Sequence, residues 1–174
     1  MFKHETQVKK FLLKWYSVNA RILPWRKKAN KTLANPYFVF VSEYMLQQTT
    51  VNTVKNKFND FILKWPSVNK LARITEPEIL KFWSGLGYYS RARNLLKTAK
   101  IINKSFKNKI PQTYDELIQL PGIGDYTAKA ILGIGFNKSV MPLDANIERI
   151  LVRLHAIDQP IIKVKNKLKD LANK

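Results

Sequence analysis

The 174-residue chain contains no cysteine, only two histidines and only six glycines. Without cysteine there are no disulfides, no thiolate-ligated zinc and no cysteine-ligated iron–sulfur cluster within these residues. His4 and His155 stand far apart in the sequence, and we expect no metal site. No apolar run approaches the length of a membrane span, and no signal-peptide core follows Met1. We therefore expect a cytoplasmic protein with no membrane partner.

Negative charge is also scarce. Lysine and arginine number 31 against 12 aspartates and glutamates, for a net charge of +19. An excess of this size attracts anionic partners, of which nucleic acid and an anionic membrane surface are the first to consider. The alternative is that an AT-rich coding sequence has placed the 24 lysines and 14 asparagines on solvated faces without a binding role.

Apolar residues recur at helical spacing along most of the chain, which predicts an all-α fold. Residues 75–78 and 113–116 both have the capping-box pattern that begins a helix. Residues 37–41, Tyr-Phe-Val-Phe-Val, are the exception, because β-branched and aromatic residues favour a strand. Residues 42–48, which follow directly, are compatible with a helix.

A glycine-containing turn separates two predicted helices. Residues 120–124, Leu-Pro-Gly-Ile-Gly, lie between the capped helix that begins at Thr113 and an apolar helix predicted over 126–134. The two glycines permit a tight turn whose backbone N–H groups point outward at a helix N-terminus, where a phosphate oxygen is favoured. The pattern is typical of a helix-hairpin-helix that binds the DNA backbone without reading sequence. A plain interhelical turn is the alternative.

Two carboxyl groups occur in apolar surroundings. Glu43 lies within the apolar residues 39–46, where burial would raise its pKa and let it hold a proton near neutral pH. Asp144 follows residues 140–143 and is placed to cap the next helix, whose N–H groups favour the ionised form. One neutral and one charged carboxyl is the arrangement that cleaves glycosidic bonds. A surface glutamate and an ordinary cap are the alternatives.

Several motifs occur in a fixed order. They are Leu-Pro-Trp-Arg at 23–26, Pro-Tyr at 36–37, Val-Ser-Glu at 41–43, Met-Leu-Gln-Gln-Thr at 45–49, Gly-Leu-Gly-Tyr-Tyr-Ser-Arg-Ala-Arg at 85–93, Leu-Pro-Gly-Ile-Gly-Asp-Tyr-Thr-Ala at 120–128 and Leu-Asp-Ala-Asn at 143–146. In this combination the chain resembles the MutY-type adenine DNA glycosylases of the helix-hairpin-helix superfamily over residues 12–154. The resemblance implies two helical lobes with a groove between them. Residues 29–135 form one lobe, with the hairpin at about 113–135, and residues 1–28 with 136–174 form the other.

The resemblance implies an enzyme of base-excision repair. Its activity is hydrolysis of the N-glycosidic bond of adenine mispaired with 8-oxoguanine or guanine, by a monomer acting on double-stranded DNA at the bacterial nucleoid. Glu43 matches the acid that protonates adenine N7 and later activates water. Asp144 matches the carboxylate that stabilises the oxocarbenium-like sugar. Tyr126 and Asn146 match residues beside that carboxylate.

The resemblance also places residues around the DNA and the base. Gln48 and Tyr88 match residues that enter the DNA stack near the damaged guanine. The hairpin residues expected at the DNA backbone are Gly122, Gly124 and Thr127. Arg26 and Leu46 are expected in the pocket for the extruded base.

A strand-cleaving relative of the endonuclease III type is the nearest rival. Such enzymes, which remove pyrimidines, carry a lysine nucleophile at the position of Tyr126, and a tyrosine cannot form the imine. Lys129 lies nearly one helical turn further on, and we expect it to be solvated or to face a phosphate. A DNA-binding remnant without catalytic activity is the rival from another class.

The chain departs from the family pattern at two places. Ala145 stands where the family usually has glycine. Family members also continue into a [4Fe-4S] cluster segment and an 8-oxoguanine-recognition domain, and the chain contains neither. We therefore expect no cofactor within this chain and a truncated second lobe, and both an excised fragment and a truncated gene product remain open.

Overall fold

The structure is a computed structural model that describes residues 5–26 and 33–172. The helices in this part of the chain are α1 (Glu5–Asn19), α2 (Pro36–Leu46), α3 (Val51–Lys64), α4 (Val68–Ala72), α5 (Glu76–Trp83), α6 (Ser90–Ser105), α7 (Tyr114–Ile118), α8 (Asp125–Ala130), α9 (Ala145–Leu154) and α10 (Ile161–Ala172). Residues 5–26 and 33–172 contain no β-strand, and the all-α prediction is confirmed. Within these same residues no helix has the length and apolarity needed to cross a membrane.

The strand-like segment 37–41 forms part of helix α2. Asn35 caps this helix, since its Oδ1 accepts a hydrogen bond from the backbone N–H of Tyr37 at 2.9 Å, and a proline occupies the first turn. The side chains of the segment are buried on opposite sides of the helix, as shown by the fully buried Val39, Phe40 and Val41. A helix buried all round has no polar face, so its sequence shows no helical period. Burial in the core overrides the strand preference.

Two clusters of buried apolar side chains form the interior. The larger core cluster surrounds α2 and draws on residues from Leu23 to Leu132. The smaller core cluster consists of Leu151, Val164 and Leu168 from α9 and α10. The predicted boundary at residues 28 and 29 lies outside the described residues, and the division into lobes stays a prediction.

The apolar face of α1 belongs to neither cluster. Its large side chains are about half exposed or more, and Phe11 is 67% exposed. The smaller core cluster therefore forms from α9, α10 and their flanking segments, without a buried side chain from α1.

The predicted hairpin is formed by α7, the hairpin turn (residues 119–124) and α8. Thr113 Oγ1 accepts a hydrogen bond from the backbone N–H of Glu116 at 3.3 Å, which begins α7. Helix α8 starts at Asp125 and passes at Ile131 into a π-helical segment, Ile131–Gly135, where the predicted regular helix gives way. Two of these five residues are glycines, which weaken a regular helix.

Helix α2 holds the hairpin turn in place. The hydroxyl of Tyr44 lies within hydrogen-bond reach of the Pro121 carbonyl and 3.1 Å from Oγ1 of Thr98. The Thr98 hydroxyl donates to the same carbonyl at 3.0 Å. Nε2 of Gln47 donates to the carbonyl of Gly122 at 3.2 Å. The turn is therefore attached to the larger core cluster through two consecutive carbonyls.

We expect the two glycines of the hairpin turn to respond differently to substitution by alanine. Gly122 has φ +79°, and an added Cβ would lie 2.9 Å from Cβ of Asn94 and 3.0 Å from Cε1 of Tyr44. Gly122→Ala should therefore lower the free energy of unfolding by about 1–2 kcal/mol from the left-handed backbone alone. At Gly124 an added Cβ meets no atom within 4 Å, and Gly124→Ala should cost less than about 1 kcal/mol. Urea unfolding measures both values, and an equal loss would contradict the geometry of the turn.

Candidate active site

A cavity of about 290 Å³ lies between helix α2, the start of α8 and residues 21–26. Five of its lining residues are ones that the sequence singles out, namely Arg26, Glu43, Leu46, Tyr126 and Thr127. Thr127, expected at the DNA backbone, is buried and lines this cavity. The fold thus brings Glu43, Tyr126 and the two base-pocket residues to one place, whereas Asp144 and Asn146 are not among the lining residues.

The cavity also has five lining residues to which the sequence assigns no role: Arg21, Leu23, Trp25, Gln47 and Val51. Leu23 and Trp25 are buried, and the motif at 23–26 was the signal that could have found them. Gln47 sits within the motif at 45–49. Nothing in the sequence distinguishes Arg21 from the other arginines of the chain.

Glu43 is a buried carboxyl in the wall of the cavity. It lies on α2 one turn before Leu46 and Gln47, so these three side chains share one face of the helix. Only 7% of Glu43 is exposed. Burial raises its pKa from 4.5 to about 7, while the positive charge of Arg26 acts in the opposite direction. Near neutral pH a substantial fraction of Glu43 therefore carries a proton.

Tyr126, in the first turn of α8, lies within electrostatic reach of both carboxyl groups. Its pKa is raised by desolvation first, and then by the negative charges of Glu43 and Asp144, while Arg26 lowers it. Glu43 belongs to α2 and Asp144 to the start of α9, so the fold brings distant parts of the chain to one tyrosine. The phenol stays neutral and able to donate a hydrogen bond at neutral pH.

Asp144 caps helix α9. Its Oδ1 accepts hydrogen bonds from the backbone N–H groups of Asn146 at 3.0 Å and Ile147 at 2.8 Å. Its Oδ2 accepts from Nδ2 of Asn146 at 3.3 Å, and Oδ1 of Asn146 accepts from Nη2 of Arg149 at 2.6 Å. These donors and the helix N-terminus stabilise negative charge on the aspartate. Asn146 is exposed and orients this carboxylate.

Gln48 and Tyr88 lie outside the cavity, Gln48 in the loop between α2 and α3 and Tyr88 in the loop between α5 and α6. Both side chains are exposed, and both backbones are left-handed, with φ of 55° at Gln48 and 46° at Tyr88. Few non-glycine residues adopt this conformation. Gly122 and Gly124 are exposed in the hairpin turn. The contact of these four residues with DNA stays a prediction.

Lys129 is held by an ion pair within α8. Its Nζ lies 3.3 Å from Oδ1 of Asp125, and its side chain is only 12% exposed. The hydroxyl of Tyr114 donates to the same oxygen at 2.9 Å. Of the two alternatives for Lys129, full solvation is wrong, because α8 places the lysine one turn after Asp125, and a contact with a phosphate stays a prediction.

The donor groups present do not favour a metal or a cluster. In the part of the chain that the structure describes, no three histidine, aspartate or glutamate side chains come together in a way that could hold a metal ion. A [4Fe-4S] cluster needs cysteine thiolates, and the sequence has none. The residues of this chain therefore do not fit such a cluster.

Comparison with known proteins relates this geometry to a family. The family model described as HhH-GPD superfamily base excision DNA repair protein matches residues 41–174. The adenine DNA glycosylase of Buchnera aphidicola subsp. Baizongia pistaciae is 46% identical over 148 residues, which cover 84% of this chain and 41% of that protein. The human adenine DNA glycosylase is 40% identical over 164 residues, which cover 90% of this chain and 30% of that protein. The chain spans less than half the length of these relatives.

Solved structures share the fold. A thermostable thymine-DNA glycosylase matches with a TM-score of 0.73 at 25% identity, covering 86% of this chain and 69% of that one. An endonuclease III in a non-covalent complex with DNA matches with a TM-score of 0.72 at 20% identity, covering 98% of this chain and 78% of that one. At that identity the second match shows the fold alone.

Helices α7 and α8, joined by the hairpin turn and packed against a helical core, make this a helix-hairpin-helix protein. The cavity with the buried carboxyl of Glu43 lies beside this motif. The chain belongs to the HhH-GPD superfamily of base excision DNA repair proteins. The resemblance to adenine DNA glycosylases is confirmed by relatives from bacteria and from human.

The raised pKa of Glu43 makes stability depend on pH with a definite sign. The folded protein holds this proton up to about pH 7, whereas the unfolded chain releases it near pH 4.5. The free energy of unfolding therefore falls as the pH rises between these two values. At about 1.4 kcal/mol for each pH unit, the full difference is about 3 kcal/mol. Glu43→Gln removes this titration. We expect the variant to be more stable than the wild type at pH 8 by up to about 3 kcal/mol, and the advantage to vanish near pH 4.5.

Urea unfolding of both proteins at the two pH values measures this difference. All other titrating groups are shared, so they cancel in the comparison. A difference that does not change with pH would show that Glu43 is not desolvated.

Proposed function

We propose that this chain carries the catalytic region of an adenine DNA glycosylase, which hydrolyses the N-glycosidic bond of adenine paired with 8-oxoguanine or guanine. The observation that carries the proposal is the buried carboxyl of Glu43 in the cavity wall, whose pKa of about 7 suits proton donation at neutral pH. The choice of adenine as the base that is removed rests on the likeness of most of the chain to adenine DNA glycosylases.

The cavity suits a base that has been rotated out of the DNA helix. Enzymes that act on a base in duplex DNA take it out of the stack into a pocket. Leu23, Trp25 and Val51 provide apolar surface for the faces of the base. Arg21 and Gln47 provide hydrogen-bonding groups for its edge.

The two carboxyl groups have different tasks in the reaction. Adenine would leave as an anion unless a proton accompanies its departure, and protonated Glu43 transfers its proton to N7. Cleavage of the bond from C1′ to the base leaves positive charge on the sugar. The carboxylate of Asp144 stabilises that charge, and its hydrogen bonds to backbone N–H groups hold it in place beforehand. Glu43, now ionised, accepts a proton from the water that attacks C1′, which restores the acid.

The side chains around the cavity disfavour strand cleavage. A lyase needs an amine to form an imine with C1′. Tyr126 has none, and the Lys129 amine pairs with Asp125. We therefore propose that the product is an abasic site in an intact strand.

Duplex DNA is the proposed partner, bound by a monomer in the bacterial nucleoid. The net charge of +19 favours association with phosphates. The open space at Gly124 leaves room for a close approach of the DNA backbone. We propose that Gln48 and Tyr88 enter the DNA stack near the damaged guanine, and a planar exposed side chain such as Tyr88 suits stacking on a base.

The decisive variant is Glu43→Gln. The amide keeps the shape of the side chain but cannot donate the proton, so we expect the single-turnover rate of adenine excision to fall about 10²–10⁴-fold. Duplex affinity should stay near that of the wild type. The assay uses an A:8-oxoguanine duplex, with alkali added afterwards to cleave abasic sites. Glu76→Gln, an exposed carboxyl paired with Arg93, is the matched control and should excise normally.

Each outcome of this assay has a distinct meaning. Normal excision by Glu43→Gln would remove Glu43 from the role of acid. A wild-type chain that binds the duplex but does not excise adenine would be a DNA-binding remnant. Excision of uracil or thymine glycol in place of adenine would favour the endonuclease III-type rival.

The excision rate should also depend on pH. Because only protonated Glu43 is active, we expect the single-turnover rate to fall as the pH rises through about 7, approaching tenfold for each pH unit above it. Arg26→Gln removes the positive charge that lowers this pKa, so the fall should move to higher pH whatever happens to the maximal rate. A rate that is constant between about pH 6 and 9 would contradict this role.

A further inference from the structure

Arg91, in the first turn of α6, is a buried cation whose partners are all backbone or aromatic groups. Only 5% of the residue is exposed. Its Nη1 donates to the carbonyls of Met45 at 2.7 Å and Tyr44 at 3.3 Å and contacts that of Gln47. Its Nη2 donates to the carbonyls of Leu86 at 2.8 Å and Gly87 at 3.0 Å. One planar group thus joins the end of α2 to the loop between α5 and α6.

Both segments that Arg91 joins lead directly into an exposed, left-handed residue. Gln48 follows Gln47 in the first segment, and Tyr88 follows Gly87 in the second. The guanidinium carbon also lies 5.6 Å from the ring centroid of Tyr88 and 5.6 Å from that of the buried Trp83. Arg91 therefore contacts one of the two exposed side chains and the backbone leading to both.

The chemistry of these contacts calls for arginine. The last carbonyls of a helix have no partner within the helix, and a cation at that end also interacts favourably with its dipole. A guanidinium presents several N–H groups in a fixed planar fork, so it can serve two peptide segments at once. A lysine ammonium has three donors at a single point and cannot span both segments.

We propose that Arg91 is a positioning residue that fixes the separation and orientation of Gln48 and Tyr88, so that the two side chains enter the DNA stack as one wedge. This inference rests on the proposed function. Arg91 does not line the cavity, and its burial leaves it little surface for a direct contact with DNA. Its loss should release the two loops from each other while leaving the hairpin and the surface lysines to bind phosphates.

The test uses Arg91→Lys and Arg91→Met in the full chain. A duplex carrying 2-aminopurine next to the target adenine reports base unstacking through its fluorescence, without any chemical step. We expect the equilibrium constant for unstacking at saturating protein to fall about tenfold or more, because a wedge that is not held in place offsets less of the cost of unstacking a base step. Duplex affinity and its salt dependence should change little. Hydrogen exchange should become faster at residues 47–49 and 86–89.

Arg93→Met is the matched control. Arg93 lies on the same helix two residues further on, but it is exposed and pairs with Glu76 at 2.7 Å. We expect normal unstacking from this variant. If Arg91→Met does not fold by circular dichroism, Arg91→Lys, which keeps the positive charge and the aliphatic stem, carries the test.

A double-mutant cycle separates positioning from general destabilisation. If Arg91 acts through the wedge, Arg91→Lys should cause no further loss of unstacking in a background with Gln48→Ala and Tyr88→Ala. Additive losses, normal unstacking by Arg91→Lys, or a parallel loss of duplex binding would each overturn the proposal. A wild-type chain that binds DNA but does not unstack it would overturn the wedge itself.

The two proposals can fail separately. Unstacking that depends on Arg91 without excision of adenine would reject the proposed function and keep the role of Arg91. Excision by the wild type together with full unstacking by Arg91→Lys would keep the proposed function and reject the role of Arg91.

Discussion

The burial of helix α2 within the larger core cluster removes the carboxyl of Glu43 from water. The neighbouring Phe40 and Tyr44 pack edge to face with ring centroids 5.3 Å apart, and both are fully buried. A charged carboxylate is costly in such surroundings, so the protonated form is favoured. The positive charge of Arg26 limits this effect, and the pKa settles at about 7. The packing that stabilises the core thus keeps the Glu43 carboxyl partly protonated near neutral pH, and it makes the ionised form of this carboxyl unfavourable.

The hairpin turn and the loop that carries Tyr88 are attached to this helix. Tyr44 reaches the hairpin turn at Pro121, and Gln47 reaches it at Gly122. The end of α2 is joined by Arg91 to the loop that carries Tyr88. The hairpin turn, the two loops that carry Gln48 and Tyr88, and Glu43 are therefore all connected to the buried helix α2. Their relative positions are set by hydrogen bonds to backbone carbonyls, which do not depend on flexible side-chain pairs at the surface.

Caps and turns, which depend on a few neighbouring residues, could be predicted from the sequence. The burial and position of side chains, which depend on packing between distant parts of the chain, could not. The cap at Asp144 and the hairpin turn with Gly122 follow from residue types that favour one local conformation. Helix α2 could not be read from periodicity, because burial on every side removes the polar face on which periodicity depends. The cavity position of Arg21 depends on how residues 21–26 pack against α2 and α8, which no local pattern records. Arg91 and Arg93 stand in the same Arg-Ala-Arg motif, yet one is buried and the other exposed.

The helices that carry Glu43 and Asp144 differ in how extensively they are packed. Glu43 is part of a helix buried in the larger core cluster, whereas Asp144 begins helix α9, in which Leu151 is the single buried residue. The smaller core cluster that holds α9 has three buried side chains, and regions with few buried apolar contacts open at lower free energy. The hydrogen bonds from Asn146 and Ile147 orient the Asp144 carboxylate on α9, but they cannot place α9 relative to α2. The packing of Leu151, Val164 and Leu168 joins α9 to α10, and residues 136–143 connect α9 to the larger core cluster. The arrangement of Glu43 and Asp144, the proposed acid and the proposed charge-stabilising carboxylate, therefore depends on the less extensively packed part of the described chain. If the proposed reaction needs both groups, it is more sensitive to the support of α9 than to that of α2.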